Sequence, residues 1–511
     1  MSLLNTYSIK IAGPAGAGIK SSGLLLAKIL IAHGQNVRDY SEYPSLVRGG
    51  HNTYQLTFSS QTIFTVHQKI DLFFALAPNH WQQHQSEFTK KTLVIGPDAQ
   101  ISLPDHKFAT NTVCLGIVAY IFNLDQKICH HQISLAYSDS SNLDAFDFGY
   151  QFAKQSKLKQ IKIIKNFKLK IKNSLYDGNE AYGWGFIKGG GKFFAAYPMT
   201  PASGSLHFLA QKQVDHQLTV IHPEDEIAAA SMVAGAAYTG VKSATGTSGG
   251  GFALMTETIS FCGVANLGTV FYLVSRPGPA TGLPTWTSQG DLLFAINAGH
   301  GEFPKIVLAP GDQQESFDLS QLSLNLAAKY SLPVILISDK FISESSASIP
   351  DLSVKKIKSV QPQRSFLMAN SYEHDQFGYS TESSQVVNQN VKKRLALTKK
   401  LALILPKPII YGPQTATKLI ISWGSTKSTI LETLTLKKDN DFAFLHFQTL
   451  WPINPEIKKL INNFKKIIVI ENNATSQLTT LLKSQFDFNP DQILLKFDGR
   501  PFFPEELLKK L

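Results

Sequence analysis

Cysteine is nearly absent from this chain of 511 residues: there are three, Cys114, Cys129 and Cys262, scattered and with no C-x-x-C pair. Three separated cysteines cannot hold a four-cysteine iron–sulfur cluster or a zinc ion without ligands from another chain. They read as reduced core residues of a cytoplasmic protein. No apolar run of about 18 residues occurs, so no membrane span is expected. The first residues, MSLLNTYSIKIAG, lack a basic region followed by a cleavable apolar run, and no signal peptide is expected. Charged residues make up only 17% of the chain and hydrophobic ones 43%, a balance that excludes a disordered protein. A dinucleotide fingerprint is missing too. GPAGAGIKSSG spaces its glycines G-x-x-G-x-G, with no acidic residue at the ribose position, so a tight strand-to-helix turn is expected there rather than an NAD site.

What is present is basic and periodic. Lys+Arg 49 against Asp+Glu 38 leaves a net charge of +11, and eight lysines with no acid lie between Lys154 and Lys172. There the lysines alternate with Ile, Leu and Phe. The stretch reads first as a solvated strand or linker with one apolar face, and second as a docking patch for an acidic partner. The length predicts three or four domains. An α/β domain is expected over 1–174, opening with the strand TYSIKIAG, the glycine turn and a helix that stops at Gly34. Arg48 to Asn52 read as a polar turn before the strand TYQLTF, and NTVCLGIVAYIF as a buried helix. Over 175–350 strands alternate with helices, which predicts a doubly wound parallel sheet. Asn179 reads as the N-cap of its first helix. Residues 351–415 form a weakly periodic connecting arm, and 416–511 a small C-terminal α/β domain.

Within 175–350, the turns YPMTP (197–201), TGTSGGG (245–251) and RPGPATGLPT (276–285) each follow a strand, and EDEIAAASMVAGAA begins at Glu224. Turn residues, hydroxyls, an arginine and glutamates inside an Ala-, Gly- and Val-rich segment suggest a small-ligand site on rigid backbone. Ligands in open parallel sheets bind at the carboxyl ends of strands, where these turns lie.

These motifs, in this order, resemble the alpha subunit of 2-oxoacid:ferredoxin oxidoreductases (the pyruvate-ferredoxin oxidoreductase superfamily) with a gamma domain fused at its N-terminus. The gamma-like part carries GPAGAGIKSSG and SLVRGGHNTYQ. The alpha-like part carries DGNEA, YPMTP, EDEIAAASMVAGA, TGTSGGG and RPGPATGLPT. YEHDQFG lies in the arm, and SWGSTKSTILE, LHFQTLWPI, IVIENNATSQL and LLKFDGRPF at the C-terminal end. The resemblance covers nearly the whole chain. It implies a gamma-type α/β domain, a central domain of the thiamine diphosphate pyrimidine-binding type and a transketolase-C-like domain. It also implies a reaction: a 2-oxoacid is decarboxylated on thiamine diphosphate, its acyl group passes to coenzyme A, and electrons pass through an iron–sulfur cluster to ferredoxin. The chain lacks four clustered cysteines and the G-D-G motif of a magnesium diphosphate site. The resemblance therefore places Mg2+, the [4Fe-4S] cluster and the diphosphate site on a separate beta subunit, in an (alpha-beta)2 assembly. No nucleic acid or membrane partner is implied.

The family pattern places a glutamate nine residues before a helix glycine. Gly235 stands nine after Glu226, so Glu226 rather than Glu224 is the implied partner of the thiamine aminopyrimidine. The bland alternative is that Glu224, Asp225 and Glu226 only favour a helix N-terminus. Arg276 is implied to grip the oxoacid carboxylate. Thr200 is implied to donate to the oxoacid, or else to cap the following helix. Thr285 would lie near the substrate's variable end, with Tyr197 and Pro201 around it. Thr247, Ser248 and Gly249 would approach the cofactor ring. Gly16, Gly18 and Arg48 are candidates for a coenzyme A phosphate. Three departures from the family pattern stand in these motifs: Met199 where Ile is usual, Gly250 where Pro is usual, and Pro277 directly after Arg276. The oxoacid is expected to be 2-oxoglutarate, with pyruvate and other oxoacids open. A non-redox thiamine enzyme, a dinucleotide-binding protein and a non-catalytic binding module are the competing readings.

Overall fold

A computed structural model of the chain describes residues 6–45, 49–163, 173–353, 359–362 and 366–511. These form two compact units. One comprises Met1–Tyr176, Ser345–Asp351 and Phe503–Leu511, the other Asp177–Glu344 and Leu352–Phe502.

The first unit is built on a seven-stranded mixed sheet in the order Phe88–Ile95, Ile70–Ala75, Thr6–Ala15, Gly49–Ser59, Asn36–Glu42, Ser346–Pro350, Asn173–Asp177. Its centre is antiparallel, with Ile9 opposite Leu56 and Val37 opposite Phe58. These residues are buried because the helices Ile19–Ala32 and Thr110–Ile121 press Leu26, Leu30, Ile117 and Val118 into the same core. Each such side chain contributes roughly 1.5–3 kcal/mol by leaving water. The glycine loop joins strand to helix as expected, and Gly34 follows the helix end at φ 75°. NTVCLGIVAYIF is a buried helix. The expected polar turn is different. Gly49 to Asn52 belong to the strand, because Gly49 pairs with Ala15 and Asn52 with Gly13. Arg48 lies outside the described residues, as do 164–172 of the lysine-rich stretch. Its start is described: Ile163 is buried in the core, with Leu158 and Ile161 packed against it.

The second unit holds two sheets. The larger runs Thr449–Trp451, Ile306–Leu308, Val334–Asp339, Thr269–Ser275, Ser243–Thr247, Phe193–Ala195, Thr219–Ile221. Its pairings are parallel, save that Thr449–Trp451 joins antiparallel at the edge. The smaller sheet runs Ile409–Tyr411, Phe442–Phe447, Lys418–Trp423, Lys466–Glu471, Gln492–Leu495. One hydrophobic core passes through both, from Phe271 and Ile335 to Leu445 and Ile421. In the larger sheet the chain forms Phe193–Ala195, steps outward to Thr219–Ile221, then returns past its start to Ser243–Thr247. That reversal is a topological switch point, where the connections diverge and leave a crevice at the carboxyl ends of the strands.

Candidate active site at the switch point

The two strands flanking the crevice lead directly into YPMTP and TSGGG. The strand Phe193–Ala195 ends at the turn Tyr197–Pro201, and the helix Ser203–His216 starts just beyond it. The turn is buttressed from below. Asn179 Nδ2 donates to the Pro201 carbonyl at 2.9 Å. Asn179 is therefore not the N-cap expected of it. Asp177 caps that helix by accepting from Glu180 N–H at 2.8 Å, while the Glu180 carboxylate takes Asp177 N–H at 3.2 Å. The D-x-x-E spacing makes this capping box, which leaves Asn179 in the first turn with its amide holding the YPMTP backbone.

Glu226 is the first residue of the helix Glu226–Tyr238 and is only 4% exposed. Asp225 caps the helix, accepting from Ala228 N–H at 2.8 Å, and Glu224 is exposed. The three acids thus divide: one solvated, one capping, one buried. The Glu226 Oε1 atom is buried with no hydrogen-bond partner among the described residues. A carboxylate oxygen left so costs free energy unless something completes it. What lies beside it is Gly251. A Cβ there would stand 2.6 Å from Glu226 Oε1 and 2.2 Å from Thr247 Oγ1. Ser248 is fully buried, and its Oγ also lacks a partner among the described residues. A buried carboxylate and the Thr247 hydroxyl thus converge on a glycine that has no side chain to displace them, with the buried Ser248 hydroxyl next in the chain. A flat heterocycle with ring nitrogens fits that donor set, so these residues suit an aminopyrimidine.

Arg276 follows the strand Thr269–Ser275. Its Nη1 donates to the Thr200 carbonyl at 2.6 Å, which ties the two expected substrate residues together through backbone. The Thr200 hydroxyl does not cap the next helix, and no partner for it occurs among the described residues. Burial lowers the Arg276 pKa from its ordinary value, and the Asp291 charge opposes that shift. Asp291 lies over Gly249: its Oδ2 is 3.0 Å from where a Cβ of that glycine would stand. Burial raises the Asp291 pKa, against the pull of the Ser275 hydroxyl and the Arg276 charge. Beyond Arg276 the chain turns back, with Leu283 N–H donating to the Pro277 carbonyl at 2.9 Å. Thr285 is buried at the end of that turn. Tyr197 is 39% exposed and sets its ring against His222 at 5.7 Å.

The fold thus gathers Glu226, Thr247 and Ser248 at one spot, and Thr200, Arg276 and Gly249 around a neighbouring one. Gly251, Asn179 and Asp291 belong to the same construction, and none of them was expected as a site residue. The only signal for Asp291 is an acid in the otherwise uncharged run from Pro277 to Asn297. Gly16 and Gly18 belong to the first unit, where they line a cavity of about 480 Å³ with Lys20, Ser21, Tyr43 and Asn52. Beside Asn52 stands a hydrogen-bonded row of imidazoles. His80 Nδ1 meets His51 Nδ1 at 2.8 Å, His51 Nε2 meets His84 Nε2 at 2.7 Å, and His84 Nδ1 meets Glu87 Oε1 at 2.8 Å. Lys10 holds the other Glu87 oxygen at 2.6 Å. The ionised carboxylate only accepts, so His84 donates to it through Nδ1. Among the described residues, no group of three or more His, Cys, Asp or Glu is arranged to hold a metal ion. No described helix is long and apolar enough to cross a membrane.

Two family profiles match the chain. "Pyruvate flavodoxin/ferredoxin oxidoreductase, thiamine diP-bdg" covers residues 185–398, and "Pyruvate ferredoxin/flavodoxin oxidoreductase" covers residues 8–109. The 2-oxoglutarate synthase subunit KorA of Methanothermobacter marburgensis is 28% identical over 65% of this chain and 97% of its own length. A solved structure, the 2-oxoglutarate:ferredoxin oxidoreductase from Magnetococcus marinus with 2-oxoglutarate, coenzyme A and succinyl-CoA bound, superposes with a TM-score of 0.90. It is 27% identical over 99% of both chains. The 2-oxoacid:ferredoxin oxidoreductase subunit alpha of a Sulfolobus species is 30% identical over 98% of this chain and 96% of its own. A likeness of that extent, running end to end through the switch-point turns, places the chain in the family of 2-oxoacid:ferredoxin oxidoreductase alpha subunits.

Proposed function

We propose that this oxidoreductase subunit acts on 2-oxoglutarate and coenzyme A, and that its switch-point crevice is half of a thiamine diphosphate site completed by a beta subunit. The observation that carries this reading is the orphaned, buried Glu226 Oε1, packed against Gly251 where no side chain would fit. Thiamine diphosphate, when bound, supplies the nucleophilic carbon and the electron sink for decarboxylation. The residues of this chain hold and orient. Glu226 would hold a ring nitrogen through Oε1, in a water-poor place where such a hydrogen bond is strong. Thr247 and Ser248 offer hydroxyls to the same ring. Arg276 keeps donors beyond the one spent on Thr200 and directs them at the oxoacid carboxylate. The Thr200 hydroxyl donates to the carboxylate or ketone oxygen, and Thr285 meets the tail.

The choice of 2-oxoglutarate is supported by the ligands named for the Magnetococcus marinus enzyme and by the KorA relatives. A beta subunit is supported by what this chain lacks. Its three cysteines are buried in the cores, and burial pushes the Cys262 thiol up to about 12. They make poor cluster ligands. The cavity beside Gly16 and Gly18 is the place proposed for a coenzyme A phosphate, and ferredoxin the electron acceptor. Co-expression with the beta subunit tests the reading. The chain alone is expected to be inactive, and the pair to reduce a viologen dye only with an oxoacid and coenzyme A, fastest with 2-oxoglutarate. In that pair Glu226→Gln should lower kcat by about 10²–10⁴-fold. Full activity in the variant would remove Glu226 from its role.

A further inference from the structure

The stretch that follows Thr285 alternates half-buried residues with the buried Thr287 and Gln289, and its hydrogen bonds run to the distant C-terminal sheet of the same unit. Thr287 N–H donates to the Gly499 carbonyl at 2.9 Å, and Gln289 N–H to the Asn472 carbonyl at 2.8 Å. The Gln289 side chain returns the bond. Its oxygen accepts from Asn472 N–H at 2.7 Å, while its nitrogen donates to the Trp423 carbonyl at 2.6 Å. Gln289 is fully buried, so all of these bonds are made away from water. On the outer side the Arg500 guanidinium lies 4.3 Å from the centre of the Trp286 ring. Gly499 sits at φ 82°, and a Cβ on it would approach Trp286 Cβ at 3.1 Å and Leu283 Cδ1 at 3.3 Å. Residues 285–291 are therefore a strap. It starts at Thr285, ends at Asp291 beside Gly249, and takes its shape from loops near residues 423, 472 and 499.

We infer that Gln289, Gly499 and Arg500 are positioning residues that set which 2-oxoacid tail the enzyme accepts, by fixing the loop that carries Thr285. The inference rests on the reading of Thr285 as the tail contact. The physical ground is pre-organisation. A free loop of this length would sample many shapes, and each substrate would meet an averaged site. A displacement near 1 Å at a contact residue is worth up to about 100-fold in rate. The buried Gln289 bonds fix the inner half of the strap. The stack on Trp286, which is exposed on the Arg500 side, trims the outer half nearest Thr285 and Leu283.

The test uses the chain assembled with its beta subunit and compares kcat and KM for pyruvate, 2-oxobutyrate and 2-oxoglutarate. Arg500 is exposed, so its replacement leaves the core intact. Arg500→Ala should change the ratio of kcat/KM for 2-oxoglutarate over pyruvate by about 2- to 5-fold, the scale of an exposed cation–π contact. The change should appear in the oxoacid KM, with the KM for coenzyme A and the melting temperature unmoved. Arg500→Lys, which keeps a cation over the ring, should restore most of the ratio. Gly499→Ala should shift it further. Thr285→Val is the control. If it changes the ratio while Arg500→Ala and Gly499→Ala do not, the inference falls and the tail-contact reading stands. If none of the three changes it, the tail-contact reading falls as well.

Discussion

At position 251 there is no room for even a methyl group. Alanine there would place a carbon 2.2 Å from Thr247 Oγ1 and 2.6 Å from Glu226 Oε1. One of the two side chains must then move, at a cost of about 1–3 kcal/mol. Gly251→Ala should accordingly weaken thiamine diphosphate binding on the order of 10-fold, measured by calorimetry on the assembled enzyme, with its circular dichroism unchanged. The imidazole row in the first unit predicts a pH effect. Burial, with the charges of His84, His80 and Lys10, lowers the His51 pKa from 6.5 to about 4, against the Glu87 charge. Between those two values the unfolded chain binds the proton that the folded chain refuses. Stability is thus complete above pH 6.5 and falls as the pH drops toward 4. Urea titrations across that window should show the loss, and His51→Gln should flatten it. Glu226 was legible through the family spacing to Gly235, since Glu224, Asp225 and Glu226 by themselves read only as acids favouring a helix N-terminus. Gly251 was not. Its closeness to Glu226 arises when the starts of two helices, Glu226–Tyr238 and Gly249–Leu254, are brought together by the sheet.

At the scale of elements, the joint between the two sheets of the second unit is a small buried ionic cluster. The helix Gln313–Tyr330 presents Glu315, which receives Lys427 on one oxygen and, on the other, His446 Nε2 at 2.8 Å and Gly311 N–H at 2.7 Å. Burial raises that carboxyl, but the His446 hydrogen bond and the charges of His446 and Lys427 outweigh it and hold its pKa at about 2. Its contribution is full above the ordinary pKa of 4.5 and is lost as the pH falls toward 2. Glu315→Gln leaves Lys427 and His446 with a neutral partner. It should cost about 3–5 kcal/mol at neutral pH, read from chemical denaturation, and remove that acid sensitivity. Most parallel strands of the larger sheet were legible as apolar runs with turn signals after each, and Ser243–Thr247, which is not apolar, by the glycine turn that follows it. The edge strand Thr449–Trp451 was not. It is three residues long, and its pairing with Ile306–Leu308 is decided by a partner some 140 residues away. The same limit explains Asn179. Its neighbourhood reads as a helix start, and only the packed turn at Pro201 reveals what its amide serves.

At the scale of the whole molecule, the first unit is discontinuous in sequence. Its sheet includes Ser346–Pro350, paired through Ala347 with Arg38, and Ser348 Oγ accepts from Val37 N–H at 2.8 Å. The helix Pro504–Leu508 also belongs to it, and Glu505 there accepts from Gln68 N–H at 3.1 Å. Removing residues 503–511 should lower the melting temperature of the first unit by several degrees, about what a loss of 1–2 kcal/mol gives. A scanning calorimeter reads this as a shift in one transition, with the second unit's unmoved. Nothing in PFFPEELLKKL announces this role, because a short amphipathic tail is compatible with many destinations. The discontinuity has a consequence in time. A ribosome adds roughly 5–20 residues per second, so the N-terminal strands leave the exit tunnel long before the strand at 346–350 and the helix at 504–508 exist to join them. During that interval of about half a minute, the strand Asn36–Glu42 has an open edge on the side where Ser346–Pro350 will later pair. Strands made early in this unit are thus completed only when much later segments arrive, and their exposed edge is where a chaperone would be expected to hold the nascent chain.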